Sequence, residues 1–101
     1  MLYDNDSDVL EAVLVEEAVD NGTQAQLVVY NDDYNTFDWV IECFMKVLKH
    51  TSERSEQLAM IVHYKGKAIV KTASFEELKP KKDALVERGL SAVIEEERVR
   101  K

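Results

Sequence analysis

Three short polar residues, Asn31, Asp32 and Asp33, follow the apolar run Leu27-Val28-Val29-Tyr30 and precede a helical pattern. Two carboxylates and an amide oxygen put several hydrogen-bond acceptors into a small volume, which suits a small cation. The point where a strand hands over to a helix holds such groups rigidly and leaves them open to solvent. Asn and Asp are also favoured in turns and as helix caps, so turn duty explains the triplet equally well when it is taken alone. His63, at the end of a later helical segment, is the second candidate. Neutral imidazole can accept a hydrogen bond from an ammonium group. A surface histidine held by the dipole of a helix C-terminus is the plainer explanation. Val40, Cys43, Ala59 and Val62 can line a pocket between two helices or simply pack as core. Cys43 has no histidine tied to it in sequence, and a thiol in apolar surroundings is inert, so it is not read as a nucleophile. Asp32, Asp33 and His63 leave a second reading open, a small metal-dependent phosphotransfer or hydrolase domain, although their spacing matches no known ligand pattern. The chain has no glycine-rich phosphate loop and no Ser/His/Asp motif.

The elements that must position these residues follow from periodicity and punctuation. A strand is expected over residues 24–30, from its β-branched content and the polar break after it. Asn35 or Thr36 can cap a helix over residues 36–49, with Asp38 in its first turn. Phe37, Val40, Ile41, Phe44 and Leu48 recur along one side of it. Ser52 is the expected cap of a second helix whose core face is Leu58, Ile61 and Val62, and Gly66 is its stop. Residues 67–72 read as a strand. Ser74 to Glu77 is a capping box opening a third helix, with Phe75, Leu78, Leu85 and Val86 as its apolar positions. Pro80 predicts either a kink or a helix that starts there. Gly89 stops it, and residues 90–95 form a last strand alternating Leu90, Ala92 and Ile94. The order β-α-α-β-α-β predicts an α+β fold, a three-stranded antiparallel sheet packed against three helices.

With 101 residues the chain is expected to form one domain, residues 24–95, after an N-terminal extension of residues 1–23 and before a charged tail of residues 96–101. The formal net charge is −7, and residues 1–24 hold seven acids and no Lys or Arg, so the whole imbalance lies in the extension. An acidic arm on a neutral body excludes a nucleic-acid binder, which needs a basic stripe, and reads as a flexible segment or one that meets a basic surface. A single cysteine fits a reducing compartment. No apolar run approaches the ~20 residues of a membrane span, and the first residues are acidic where an export signal carries Lys or Arg. A cytoplasmic monomer without cofactor is the expectation.

Leu27-Val28-Val29-Tyr30-Asn31-Asp32-Asp33-Tyr34, taken with Gln57-Leu58-Ala59-Met60-Ile61-Val62-His63-Tyr64-Lys65-Gly66-Lys67-Ala68, closely resembles the ClpS family of Clp protease adaptors. The resemblance covers residues 25–95. It implies a protein that is no enzyme. Such a protein binds substrates whose first residue is bulky and hydrophobic and delivers them to the N-domain of a hexameric Clp ATPase. It implies that Asn31, Asp32 and His63 hold the substrate α-amino group, with Asp33 and Asn35 supporting the loop. Phe37, Val40, Cys43, Ala59, Val62 and Leu90 would surround the first side chain, and Glu76 and Lys81 would meet the ATPase. Phe37 and Ala59 stand where the family often carries methionine. That implies a stiffer rim over a wider floor and a preference for aromatic first residues.

Overall fold

The computed structural model describes residues 24–97; the flexible-arm reading of residues 1–23 and most of the tail lie outside this range. The elements are β1 (Gln24–Tyr30), α1 (Phe37–Leu48), α2 (Ser52–Lys65), β2 (Lys67–Ala73), α3 (Phe75–Glu87) and β3 (Ser91–Glu97). They give the expected order and the α+β class. The sheet runs β2-β1-β3, and both pairings with the central strand are antiparallel. β3 extends two residues past its expected end, because Glu96 and Glu97 pair with Ala25 and Gln24 of β1. A charged strand end is tolerated when its backbone groups find partners.

Each helix opens with a hydroxyl accepting from a backbone N–H three residues on. Thr36 accepts from Trp39 N at 3.1 Å, Thr51 from Arg54 N at 3.0 Å, and Ser74 from Glu77 N at 3.2 Å. Thr51 takes the place expected of Ser52: it has the extended backbone a cap needs, while Ser52 is already helical. Gly66 ends α2 at φ 93°, and its N–H donates to Val62 O at 2.9 Å. An added Cβ there meets nothing within 4 Å, so Gly66→Ala isolates the cost of the left-handed conformation. The variant should be destabilised by about 1–2 kcal/mol in urea titration, with an unchanged m-value.

Ala25, Leu27 and Val29 of β1 face the helices, and Phe44, Leu78 and Leu85 pack against them as fully buried side chains. Ser55, Leu58, Ala59 and Val62 make the buried face of α2, one turn apart in sequence. Ile61, expected in that face, is 43% exposed, because the stripe set by Ser55 and Val62 leaves it on the helix flank. Phe75 and Val86 are likewise exposed on α3, where only Leu78 and Leu85 are fully enclosed. Pro80 corrects a further expectation. The helix does not begin at Pro80, since one helix runs from Phe75 to Glu87 with Pro80 in its second turn. The N–H that proline lacks would have served the carbonyl of Glu76, and both residues are exposed, which leaves that carbonyl open to solvent.

The register of β1 against β2 slips by one residue, Leu27 facing Lys71 but Val28 facing Ile69, so β2 carries an extra residue at Val70. A bulge leaves backbone groups unpaired. His50, in the turn between α1 and α2, places Nε2 2.9 Å from Val70 O. A carbonyl only accepts, so Nε2 carries the proton. Burial pulls the His50 pKa below its ordinary value; the bond to Val70 O opposes this, and the nearby Arg54 and Lys71 add to it. Folding therefore favours the neutral ring. The stabilisation is complete above the ordinary histidine range and is lost as pH falls from about 6.5 through the lowered folded value. His50→Gln should flatten that stretch of the stability-against-pH curve, measured by thermal melts.

Among the described residues, no helix is long and apolar enough to cross a membrane.

Candidate functional site

The corner after β1 is built by hydrogen bonds from three distant parts of the chain. Asn31 N donates to Gly66 O at 2.9 Å, tying the end of β1 to the C-terminus of α2. Asp32 Oδ1 accepts from Tyr34 N and Asn35 N, both at 2.9 Å, and Oδ2 accepts from Asn35 Nδ2 at 2.8 Å. Asn35 Nδ2 also donates to Gly89 O at 2.9 Å, and Trp39 Nε1 donates to Arg88 O at 3.0 Å. The end of α3 is thus fastened to the start of α1. Burial pushes the Asp32 carboxyl up, but the bonds from the Asn35 and Tyr34 backbone and the Asn35 side chain outweigh it, and the net shift is downward. Asp32 is therefore an anion that shapes the loop, the duty expected of Asp33. Asp33 is exposed, and its carboxylate makes no hydrogen bond or ion pair among the described residues.

A cavity of about 460 Å³ opens beside this corner. Asn31, Asp32, Asp33 and Asn35 line one part of it, and Phe37, Met60, His63 and Tyr64 the rest. His63 and Tyr64 stand edge to face, with ring centroids 4.9 Å apart. The cavity so joins the polar residues singled out by sequence, which lie 32 positions apart between Asn31 and His63, and sets them beside two apolar side chains. The acceptors suit a cation with several donors, and Phe37 and Met60 suit an attached apolar group. Phe37 and Met60 are 38% and 46% exposed, so the apolar part is a rim.

Cys43, Ala59, Val62 and Leu90 do not line the cavity. All four belong to the core, and Val40 is packed against it half-buried. Burial pushes the Cys43 thiol up and Glu42 adds to this, with Arg88 partly offsetting it, so the thiol stays protonated. Met60 and Tyr64 were missed by sequence reading. Both are one position from a residue that was noticed, and the signal was their place on the same helical turn as His63. Glu76 and Lys81 lie on α3 outside the cavity. Among the described residues, no three His, Cys, Asp or Glu side chains are grouped to hold a metal ion. The three-ligand site needed by a metal-dependent reading is therefore not formed among the described residues.

A chain with this fold matches a known class of proteolysis adaptors. Residues 20–93 match the family model described as ATP-dependent Clp protease adaptor protein ClpS. The chain belongs to the ClpS family. It is 39% identical to the ATP-dependent Clp protease adapter protein ClpS of Thermosynechococcus vestitus over 67 residues, 65% of this chain and 71% of that one. It is 37% identical to the protein of the same description in Escherichia coli O1:K1 over 64 residues, which is 63% of this chain and 60% of the relative. Among solved structures, that of Agrobacterium tumefaciens ClpS2 bound to L-phenylalaninamide superposes with a TM-score of 0.70 at 22% identity, covering 76% of this chain and all of that one. At that identity the likeness speaks for the fold.

Proposed function

We propose that this protein recognises other proteins by a free, bulky hydrophobic first residue and presents them to the N-domain of a Clp ATPase, catalysing nothing itself. The observation that carries the reading is the cavity in which Asn31, Asp32, Asp33 and His63 meet Phe37 and Met60. A free N-terminus is a small cation with three donors, and internal residues lack it. L-Phenylalaninamide, the ligand of the A. tumefaciens ClpS2 structure, has these parts: an α-amino group, a phenyl ring, and an amide in place of the next peptide bond. In this chain Asn31, His63 and the remaining lone pairs of Asp32 take the ammonium, and Asp33 adds charge at the rim. The first side chain enters past Phe37 and Met60 toward Val40, Cys43, Ala59, Val62 and Leu90. Cys43, Ala59, Val62 and Leu90 are closed in the core, so entry requires a rim side chain to swing aside, and Met60 has the torsional freedom to do so.

The charges of α3 supply the docking surface. Lys79 and Lys82 are paired to Asp83 at 2.8 and 3.0 Å. Glu76 and Lys81 make no ion pair among the described residues, which leaves both charges for a partner. The setting is the cytoplasm, where the ATPase and its substrates would be met.

Fluorescence anisotropy with dye-labelled peptides tests the reading. A peptide beginning with free Phe is expected to bind, and one beginning with Val to bind weakly, because branching at Cβ stiffens the side chain beside the backbone. Failure of every free N-terminus to bind would overturn the proposal.

A further inference from the structure

The sheet has a second face, and no described element covers it. Residues of β1 alternate, so while Ala25, Leu27 and Val29 face the helices, Val28 faces away. Val28 is flanked in register by Ile69 on one side and Val93 on the other. This makes an apolar row across all three strands. Val28 is 2% exposed, but Ile69 and Val93 are 48% and 42% exposed. The row continues around the edge strand β2 into a groove of about 520 Å³, where Val28, Ile61 and Ile69 form the walls and Lys65, Lys67 and Glu95 the rim.

This groove adjoins the cavity at the corner after β1, and the same two elements build both. On α2, Met60, His63 and Tyr64 line the cavity, while Ile61 and Lys65 line the groove. At ~100° per residue Tyr64 falls between Met60 and Ile61 around the helix, so it stands on the ridge between the two hollows. On β1, Val28 lines the groove and Asn31 the cavity. Three residues of strand separate them, about 10 Å at ~3.3 Å per residue. The bond from Asn31 N to Gly66 O ties the end of β1 to the end of α2 and so holds this spacing. Met60, Tyr64, Ile61 and Ile69 carry exposed apolar surface from one hollow to the other.

We infer that the groove is a second subsite for the chain held in the cavity, taking an apolar side chain at its fourth to sixth residue with an acid beside it. The inference rests on the cavity reading proposed above. Length is the first argument. An extended chain whose α-amino group lies at Asn31 covers about 10 Å in three residues, so its fourth residue arrives level with Val28. Charge is the second. Lys65 and Lys67, on the side of the groove nearer the cavity, make no ion pair among the described residues. Lys67 lies 5.6 Å from the centre of the Tyr30 ring, which leaves its charge open to an incoming carboxylate. Glu95 lies across the sheet on β3, and its carboxylate accepts from the Tyr30 hydroxyl at 3.1 Å. Size is the third. Three strands of seven residues make a face of about 14 by 23 Å, roughly 330 Å². Each partner of a stable dimer buries about 800 Å², so the face suits a peptide better than a second copy of the chain. The cavity then reads the first residue, and the groove selects among chains that share it.

Fluorescence anisotropy with peptides carrying the dye at a distant C-terminus tests this. A peptide beginning Phe-Ala-Ala-Glu-Leu-Ala should bind about tenfold more tightly than one beginning Phe-Ala-Ala-Ala-Ala-Ala. One beginning Phe-Ala-Ala-Lys-Leu-Ala should fall between them. Ile69→Ser, a change at a half-exposed site, should remove the gain from Leu and leave the affinity of the all-Ala peptide unchanged, which also shows that the variant is folded. Lys65→Glu should reverse the order of the Glu and Lys peptides. A gain under twofold, with the all-Ala peptide bound, would overturn the inference and leave the cavity reading standing. A gain that survives Ile69→Ser would overturn it too, since the contact would lie elsewhere. Self-association in sedimentation runs without peptide, abolished by Ile69→Ser, would make the occupant a second copy and overturn it as well. Failure of every Phe-starting peptide would instead bring down the cavity reading, and the inference with it.

Discussion

Acetylating the α-amino group of a Phe-starting peptide should abolish measurable binding while leaving every other contact in place. The free amine is a cation that donates to Asn31, Asp32 and His63 in the proposed complex. Acetylation removes the charge and two of three donors, and adds bulk where the acceptors converge. Bonds to charged groups contribute about 1.5–3 kcal/mol each. Losing two costs about 3–6 kcal/mol, or roughly two to four decades in Kd. Isothermal titration of the free and acetylated peptides reads this directly. A difference under tenfold would mean that the cavity reads the side chain alone, and the assignment of the polar corner would fail. His63→Ala should lose part of the same increment for the free peptide and nothing further for the acetylated one. That pairing distinguishes a lost ligand contact from a damaged fold.

Asp32→Ala should damage both fold and binding, and Asp33→Ala only binding. Asp32 accepts three hydrogen bonds that hold residues 32–35 in shape, and Asn35 in turn reaches Gly89. Removing the carboxylate strands two backbone N–H groups and loosens the tie to α3, for a loss of about 1–3 kcal/mol, toward the lower end because water can enter. Its lowered pKa gives the same result in acid. The contribution is full above the ordinary carboxylate range and disappears as pH falls through the depressed folded value. Asp33 is exposed and without partners among the described residues, so Asp33→Ala should leave the melting temperature unchanged and weaken a Phe-starting peptide through lost charge alone. Equal melting temperatures for the two variants would contradict the division of labour drawn from the geometry. An equal loss of binding would not, because both carboxylates face the cavity.

Much of the architecture was legible from local chemistry. The hydroxyl caps Thr36 and Ser74, the glycine stop at Gly66 and the alternation in the last strand act over four or five residues, so their signals survive in a linear reading. The polar corner was legible as a group for the same reason. Its internal roles were not: Asp32 and Asp33 are the same residue type side by side, and only the loop geometry turns one inward to accept from Tyr34 and Asn35. Apolar residues show the opposite limit. Periodicity identifies a helix stripe relative to its own axis, without saying what the stripe meets. Ala59 and Val62 were therefore named as pocket wall and lie in the core, while Met60, on the flank of the same turn, lines the cavity.

By itself the sequence determined the order of elements and the presence of an acceptor-rich corner followed by a histidine. Each of these depends on neighbours in the chain. Tertiary structure decided which carboxylate shapes the loop and that Arg88 and Gly89 close it from α3. It also decided that His50 serves the bulged carbonyl of Val70 and that Val28, Ile69 and Val93 form one uncovered row. These depend on groups 20 to 65 residues apart coming within bonding distance. Only the packing of helices on the sheet specifies those distances.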